Sequence, residues 1–280
     1  MNAPRVFDQS HYDLLNRARG DVVRKLLGEL KGPLGLQTAI DVGCGLGYFS
    51  QFLKSLGLDV TAIDGRQHNV DEAQRRHPDI RFLRFDAEDP SITSLGKFDL
   101  VLCFGLLYHL ENPFRAIRSL CAATQKILLV EGMCIPGEKP AMELLDEGAV
   151  EDQGLNYVGF YPSETCLIKM LYRAGFSFVY RLCQPPADVR FIGTRSRTRE
   201  RTFLAAAKVA LATPSLVLAE EPVRAANGPL NPWDTVVGRF LSLRSIADLL
   251  SVRIPRFLRR PWAQKREIIS WYTRKVGHRN

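Results

Sequence analysis

Apolar positions fall into two rhythms along the first three quarters of this chain, and their alternation sets the architecture to expect. Over residues 10–31, Leu14, Leu15, Val22, Val23, Leu26, Leu27 and Leu30 recur at spacings of three and four, which predicts one or two helices ended by Gly32-Pro33. Short apolar runs follow at 38–42, 58–64, 80–85, 98–105 and 126–131. Between them lie stretches of helical spacing at about 48–56 and 69–77, and another from Pro113 with Asn112 as its N-cap. Strands separated by helices in this order predict βαβ units and a parallel sheet covered on both faces. Residues 132–162 break the rhythm, being rich in Gly and Pro with acids at Glu143, Asp146, Glu147, Glu151 and Asp152. A long insertion above strand ends reads as a substrate lid. Ser163 then caps a helix with Leu167, Met170 and Leu171 on its apolar face, and 176–182 and 201–208 read as two strands. Beyond them come an apolar patch at 209–219, a Pro-rich turn, a helical pattern at 236–250 and a basic segment with aromatics from 253.

The first strand runs into the densest chemical signal, A-I-D-V-G-C-G-L-G-Y-F-S at residues 39–50. Strand, glycine turn and helix in that order place a ligand at the carboxyl end of a parallel strand. Glycine suits the turn because backbone there must adopt angles a Cβ disfavours and let a ligand come close. The new helix also offers unpaired N–H groups to an anionic group. A dinucleotide fingerprint would need a glycine where Tyr48 stands, and a phosphate-binding P-loop would need a Gly-Lys-Ser/Thr that is absent. A Gly-rich turn with a purely structural role is the alternative. Asp64 ends the second strand 21 residues after Gly43, where a carboxylate can accept both hydroxyls of a ribose.

The pattern D-x-G-x-G-x-G from Asp41, with F-D-L-V-L-C-F-G-L-L-Y-H-L-E-N-P at residues 98–113, resembles the class I S-adenosylmethionine-dependent methyltransferases. The G-L-L-Y-H element is similar to that of the bacterial wobble-uridine carboxymethyltransferases, and such loops also occur in methyltransferases of glycan and secondary metabolism. The resemblance implies a Rossmann-like α/β sandwich with a seven-stranded, mostly parallel sheet of order 3-2-1-4-5-7-6 and helices on both faces. It implies S-adenosylmethionine as cofactor, with Asp41 helping to hold the methionyl amine and Gly43, Cys44, Gly45, Gly47 and Tyr48 against the methionyl and ribose parts. Asp64, Gly65 and Arg66 would lie at the ribose, Asp86 and Ala87 at the adenine, and Cys103 and Phe104 would complete the set. For Asp86 the alternative is a helix N-cap or a solvated loop acid. The corresponding domains are a helical cap at 1–35, a methyltransferase domain at 36–208 with the lid at 132–162, and a basic extension at 209–280.

Composition narrows the picture without redirecting it. Apolar residues make up 46% of the 280 and charged residues 24%, ordinary for a globular protein, and no apolar run has transmembrane or signal-peptide length. The cytoplasm is therefore the expected compartment. Six cysteines without a C-x-x-C pair read as buried free thiols. No histidine or carboxylate accompanies them at ligand spacing, so no metal is expected. The net charge of +8 is uneven, because residues 195–280 hold 17 Lys/Arg against 6 Asp/Glu while the rest is slightly acidic. The tail would serve an anionic substrate, an RNA, a peripheral membrane contact or a homodimer, or be a solvated face.

Methyl transfer from a sulfonium needs in-line positioning and exclusion of water, and an oxygen nucleophile also needs a base. His109, one loop beyond the fourth strand, is the candidate base; structural packing is its alternative. Three functions follow: a methyltransferase acting on an O or N nucleophile of a small molecule or glycan, a tRNA- or RNA-modifying methyl- or carboxymethyltransferase, and a non-catalytic binding protein of the same fold.

Overall fold

Strands that are apolar on both faces carry the middle of the sheet. They are β1 (Thr38–Val42), β4 (Phe98–Phe104) and β5 (Thr124–Met133), with every residue of β4 buried, while β2 (Asp59–Asp64) and then β3 (Arg81–Arg84), exposed at both its arginines, lead out to one edge. The computed structural model describes residues 6–148, 153–192 and 200–222, all within one compact unit spanning residues 1–222. The helical pattern expected at 236–250 and the basic segment from 253 lie outside the described residues.

Three further strands, β8 (Phe178–Leu182), β9 (Arg201–Ala207) and β10 (Leu216–Leu218), join the first five in one sheet of order β10-β8-β9-β5-β4-β1-β2-β3. β1 to β5 are mutually parallel, and β9, β8 and β10 are added antiparallel. Without β10 the order is the expected 3-2-1-4-5-7-6. The eighth strand is a correction: it lies in what reads as an apolar patch, because three residues carry too little periodicity to declare a strand. Inside 132–162 a separate hairpin forms from β6 (Met142–Asp146) and β7 (Val158–Pro162). All five residues of β6 are exposed, so no buried face wrote an alternation into it.

Alternate side chains of the sheet feed two cores. Leu100, Leu102, Ile127 and Leu129 pack with Leu26 and Leu30 of α1 (Ser10–Leu34), Leu53 of α2 (Tyr48–Ser55) and Val70 of α3 (Gln67–Arg76). Val101, Cys103, Leu128 and Val130 pack on the other face with Ile117 and Leu120 of α4 (Pro113–Ala123) and Ile168 and Leu171 of α5 (Glu164–Ala174). A short helix, α6 (Val189–Ile192), precedes β9. Burial rather than propensity holds the helices: α2 has 8 residues, short of the roughly 12–15 a free helix needs. Fully burying Leu53 alone contributes about 1.5–3 kcal/mol.

Two local readings shift. The N-terminal segment is one helix, and it ends beyond Gly32-Pro33 at Gly35, whose N–H returns to the Gly32 carbonyl. Asn112 precedes α4 as expected but makes no cap hydrogen bond, its side-chain amide donating instead to Glu88 Oε2 at 2.9 Å. Among the described residues no helix is long and apolar enough to cross a membrane.

Candidate active site

The carboxyl ends of β1 to β4 open onto a cavity of about 820 Å³, inside the roughly 300–1,000 Å³ range of small-molecule sites. All of the predicted site residues line it except Asp41, Gly47 and Cys103. The glycine turn after β1 is pinned to its neighbour strand, because the N–H groups of Gly43 and Cys44 both donate to the Ile63 carbonyl, at 2.9 and 3.0 Å. Gly43 and Gly47 both have positive φ, 75° and 86°. A Cβ on Gly43 would lie 3.0 Å from Leu106 at the cavity edge. One on Gly47 would lie 2.9 Å from both His77 and Phe82, so Gly47 serves the packing of the turn on β3 rather than a ligand.

Behind the turn sits Asp41, 3% exposed, its Oδ2 accepting from Ser50 Oγ at 2.6 Å. Burial pushes its carboxyl up to about 7, the Ser50 hydrogen bond opposes this, and nearby Asp64 adds to it. Cys103 is fully buried within β4. Burial likewise raises the Cys44 and Cys103 thiols, which therefore stay protonated and non-nucleophilic.

Asp64 ends β2 and organises the wall. Its Oδ2 accepts from Gly45 N–H at 2.9 Å, while Oδ1 accepts from Arg66 N–H at 2.9 Å and from the Asn69 amide at 3.1 Å. Burial outweighs those bonds and raises its carboxyl above the ordinary value. With about four acceptor sites on a carboxylate, three are used, so both hydroxyls of a ribose cannot find free lone pairs on Asp64 alone. Asn69 Oδ1 is a further acceptor nearby: it is buried, lines the same wall and has no partner among the described residues. Gly65 follows against Leu155, and Arg66 turns its guanidinium onto the carbonyls of Gln153 and Gly154, at 3.0 and 3.3 Å, tying the lid segment to the turn. Asp86 is exposed, its Oδ1 accepting from Glu88 N–H at 2.9 Å, and Ala87 beside it is buried. Phe104 is packed edge-on between Phe49 and Phe203, and Tyr48 stands 43% exposed at the start of α2.

His109 lies in a 3₁₀ turn, Leu107–His109, just past β4. Its Nδ1 is 2.6 and 2.8 Å from the two oxygens of Glu147, which also accepts from Gly154 N–H at 2.7 Å. A carboxylate only accepts, so Nδ1 carries a proton, and in the neutral ring the lone pair lies on Nε2. Glu147 reaches this place because it directly follows β6, its N–H donating to the Tyr157 carbonyl at 2.8 Å as the hairpin closes. Sequence alone does not separate it from Glu143 or Asp146 in the same acidic run.

A second polar cluster escapes the motif reading entirely. Glu131, fully buried near the end of β5, meets Arg19 Nη2 and Arg201 Nε at 2.5 Å each. Arg201 Nη2 also reaches the Tyr108 hydroxyl at 3.2 Å. Burial opposes ionisation of Glu131, but the two guanidinium groups prevail and hold its carboxyl below the ordinary range. The signal was present: Arg19 interrupts the apolar stripe of α1 four residues after Leu15 and four before Val23. The N-terminal segment also closes one side, with Phe7 beside Gly45 and Asp8 held to Arg76 by two 2.8 Å bonds.

Comparison with known proteins agrees with this geometry. Residues 40–126 match the family described as a methyltransferase domain. The ubiquinone biosynthesis O-methyltransferase of Psychrobacter arcticus is 31% identical over 160 residues, covering 49% of this chain and 58% of that protein. The tRNA U34 carboxymethyltransferase of Tolumonas auensis is 28% identical over 156 residues, covering 52% and 46%. The chain thus spans about half the length of these curated relatives. Among solved structures, the N-terminal domain of EvdMO1 with SAH bound superimposes with a TM-score of 0.56 at 19% identity, over 71% of this chain and 84% of that one, a likeness of fold.

Proposed function

We propose that the protein, whose residues 40–126 match a methyltransferase domain, moves a methyl group from S-adenosylmethionine to a hydroxyl of a small molecule. The observation that carries the hydroxyl is the His109–Glu147 pair, 2.6 Å apart at the cavity wall. A nitrogen nucleophile with its own lone pair needs no base, whereas a hydroxyl does.

The wall fits the donor on two counts. Gly43 and Gly45 line the cavity with backbone alone, and Asp64 with the unpartnered Asn69 Oδ1 offers two acceptors to a ribose diol. When bound, the donor supplies an electrophilic methyl on sulfur. Asp64 keeps the turn in shape through Gly45 N–H, and Asp86 with Ala87 borders the place for the base. Asp41 acts from behind the turn, its charge set by what cation the cavity holds. His109 Nε2 takes the hydroxyl proton, and Glu147 holds the ring and balances the imidazolium that forms. Arg66, by bonding the lid segment, keeps water out.

Transfer to RNA is the second reading, favoured by the similarity to tRNA U34 carboxymethyltransferases. We place the protein in the cytoplasm, a reading supported by its cysteines, each a free thiol. Incubating the protein with methyl-labelled donor and either a metabolite extract or total RNA tests the proposal. Label in a small organic fraction is expected; label in RNA alone would select the second reading, and label in neither would leave a binding protein.

A further inference from the structure

The triad of Arg19, Glu131 and Arg201 holds one buried carboxylate between two buried guanidinium groups. Arg19 is 5% exposed, Arg201 6% and Glu131 0%. Such a cluster is a poor way to stabilise a fold, because each desolvated charge costs more than an apolar side chain of the same size. This one is also unbalanced, carrying one positive charge more than it neutralises. The other arginines in the cavity wall are already answered: Arg190 by Asp188, Arg76 by Asp8 and Arg66 by two carbonyls. Glu147 is turned to His109 and Gly154 instead. Burial and the like charge of Arg201 both work against the Arg19 guanidinium, with Glu131 only partly offsetting them.

Geometry says where the balancing charge belongs. Arg19 Nε is buried and has no partner among the described residues, although Arg19 lines the cavity. Beside Gly105, on the cavity wall, an added atom would meet no clash, and three donors face it. A Cβ there would lie 3.5 Å from Arg19 Nη2, 3.8 Å from the Tyr108 hydroxyl and 3.9 Å from Arg201 Nη2. The Tyr108 ring is 4.1 Å from that of His109, centroid to centroid, so this space adjoins the base.

We propose that Arg19, Arg201 and Tyr108 form an anion subsite beside Gly105 that takes a carboxylate of the methyl acceptor. The substrate class is then a small acid carrying both a carboxylate and the hydroxyl that is methylated. A carboxylate suits the site better than a phosphate, because its single charge cancels the surplus of one and its two oxygens match guanidinium edges. This deepens the methyltransferase reading and rests on it. It differs from a role for the basic tail, since the three residues all lie in the unit spanning residues 1–222.

The test titrates the full chain, saturated with S-adenosylhomocysteine, with 4-hydroxybenzoate and with 4-hydroxybenzamide, probes of the same shape that differ in charge. The acid is expected to bind about tenfold more tightly or better. Arg19→Met leaves a neutral Glu131–Arg201 pair, so its melting temperature should hold while the preference disappears. Tyr108→Phe keeps the ring and should weaken the preference several-fold, covering the case in which the Arg19 variant does not fold. Equal binding of the two probes, binding of neither at millimolar concentration, or a preference untouched by the folded variants overturns the subsite. Heat from S-adenosylhomocysteine alone is read separately: its absence would sink the methyltransferase reading, and its presence without probe discrimination would sink only the subsite.

Discussion

Replacing Asp41 by Asn should stabilise the ligand-free protein at alkaline pH and leave it nearly unchanged at acid pH. Asp41 Oδ2 accepts from Ser50 Oγ at 2.6 Å, and an Asn carbonyl can accept the same bond, so the exchange keeps shape and removes only the charge. Burial raises the folded carboxyl from 3.8 to about 7. A carboxyl raised in this way binds its proton more tightly folded than unfolded, so its contribution to stability is best below 3.8 and worsens until the pH passes about 7. Three pK units at about 1.4 kcal/mol each make the penalty for ionised Asp41 up to about 4 kcal/mol. Urea denaturation of both proteins at several pH values from about 4 to about 8, at constant ionic strength, isolates the effect, because every other group titrates in both. The Asn variant should gain on the parent steadily across that range. A difference between the two that stays within about 0.5 kcal/mol from end to end would show that Asp41 is not held in an apolar setting and would refute the reasoning.

Other perturbations test other parts of the wall. His109→Gln should lower kcat by about 10²–10⁴ with donor affinity kept, and Glu147→Gln should lower it less; unchanged kcat for both in a steady-state assay would remove the base. Asp64→Ala strips the acceptor from Gly45, Arg66 and Asn69, so it should cost about 1–3 kcal/mol of stability and a further tenfold or more in donor affinity; chemical denaturation and calorimetry read the two separately. Gly47→Ala brings a Cβ to 2.9 Å from Phe82 at a backbone angle alanine resists, and a melting temperature lowered by several degrees is expected. Tyr172→Phe removes a hydroxyl that donates to the Ala219 carbonyl at 2.6 Å beyond β10, and should cost about 1 kcal/mol in the same melt.

What could be read from the residues follows from how locally each feature is written. β1, β4 and β5 are buried on both faces, so continuous apolar runs announce them, and the glycines after β1 announce a turn because few other residues tolerate it. β6 and β10 carry no such mark: one is wholly exposed and the other three residues long. The same division runs through the site. Asp64 is legible from its distance to Gly43 along two neighbouring strands, but its use of three acceptor sites on the turn itself is not, and neither is the support from Asn69. Glu147 and His109 are 38 residues apart and Arg19 and Glu131 further still, so only the fold brings each pair together. An arginine on the apolar stripe of α1 and a glutamate ending the apolar run of β5 were visible as exceptions; that they answer one another was not.

The central claim is that the cavity at the carboxyl ends of β1 to β4 is built for S-adenosylmethionine. Isothermal titration of the full chain with S-adenosylhomocysteine, and with NAD as a second ribose-bearing ligand, tests it most directly. Saturable one-to-one heat with S-adenosylhomocysteine, lost or strongly weakened in Asp64→Ala, and no saturable heat with NAD is the result the account requires. Saturable binding of NAD with no heat from S-adenosylhomocysteine would contradict it.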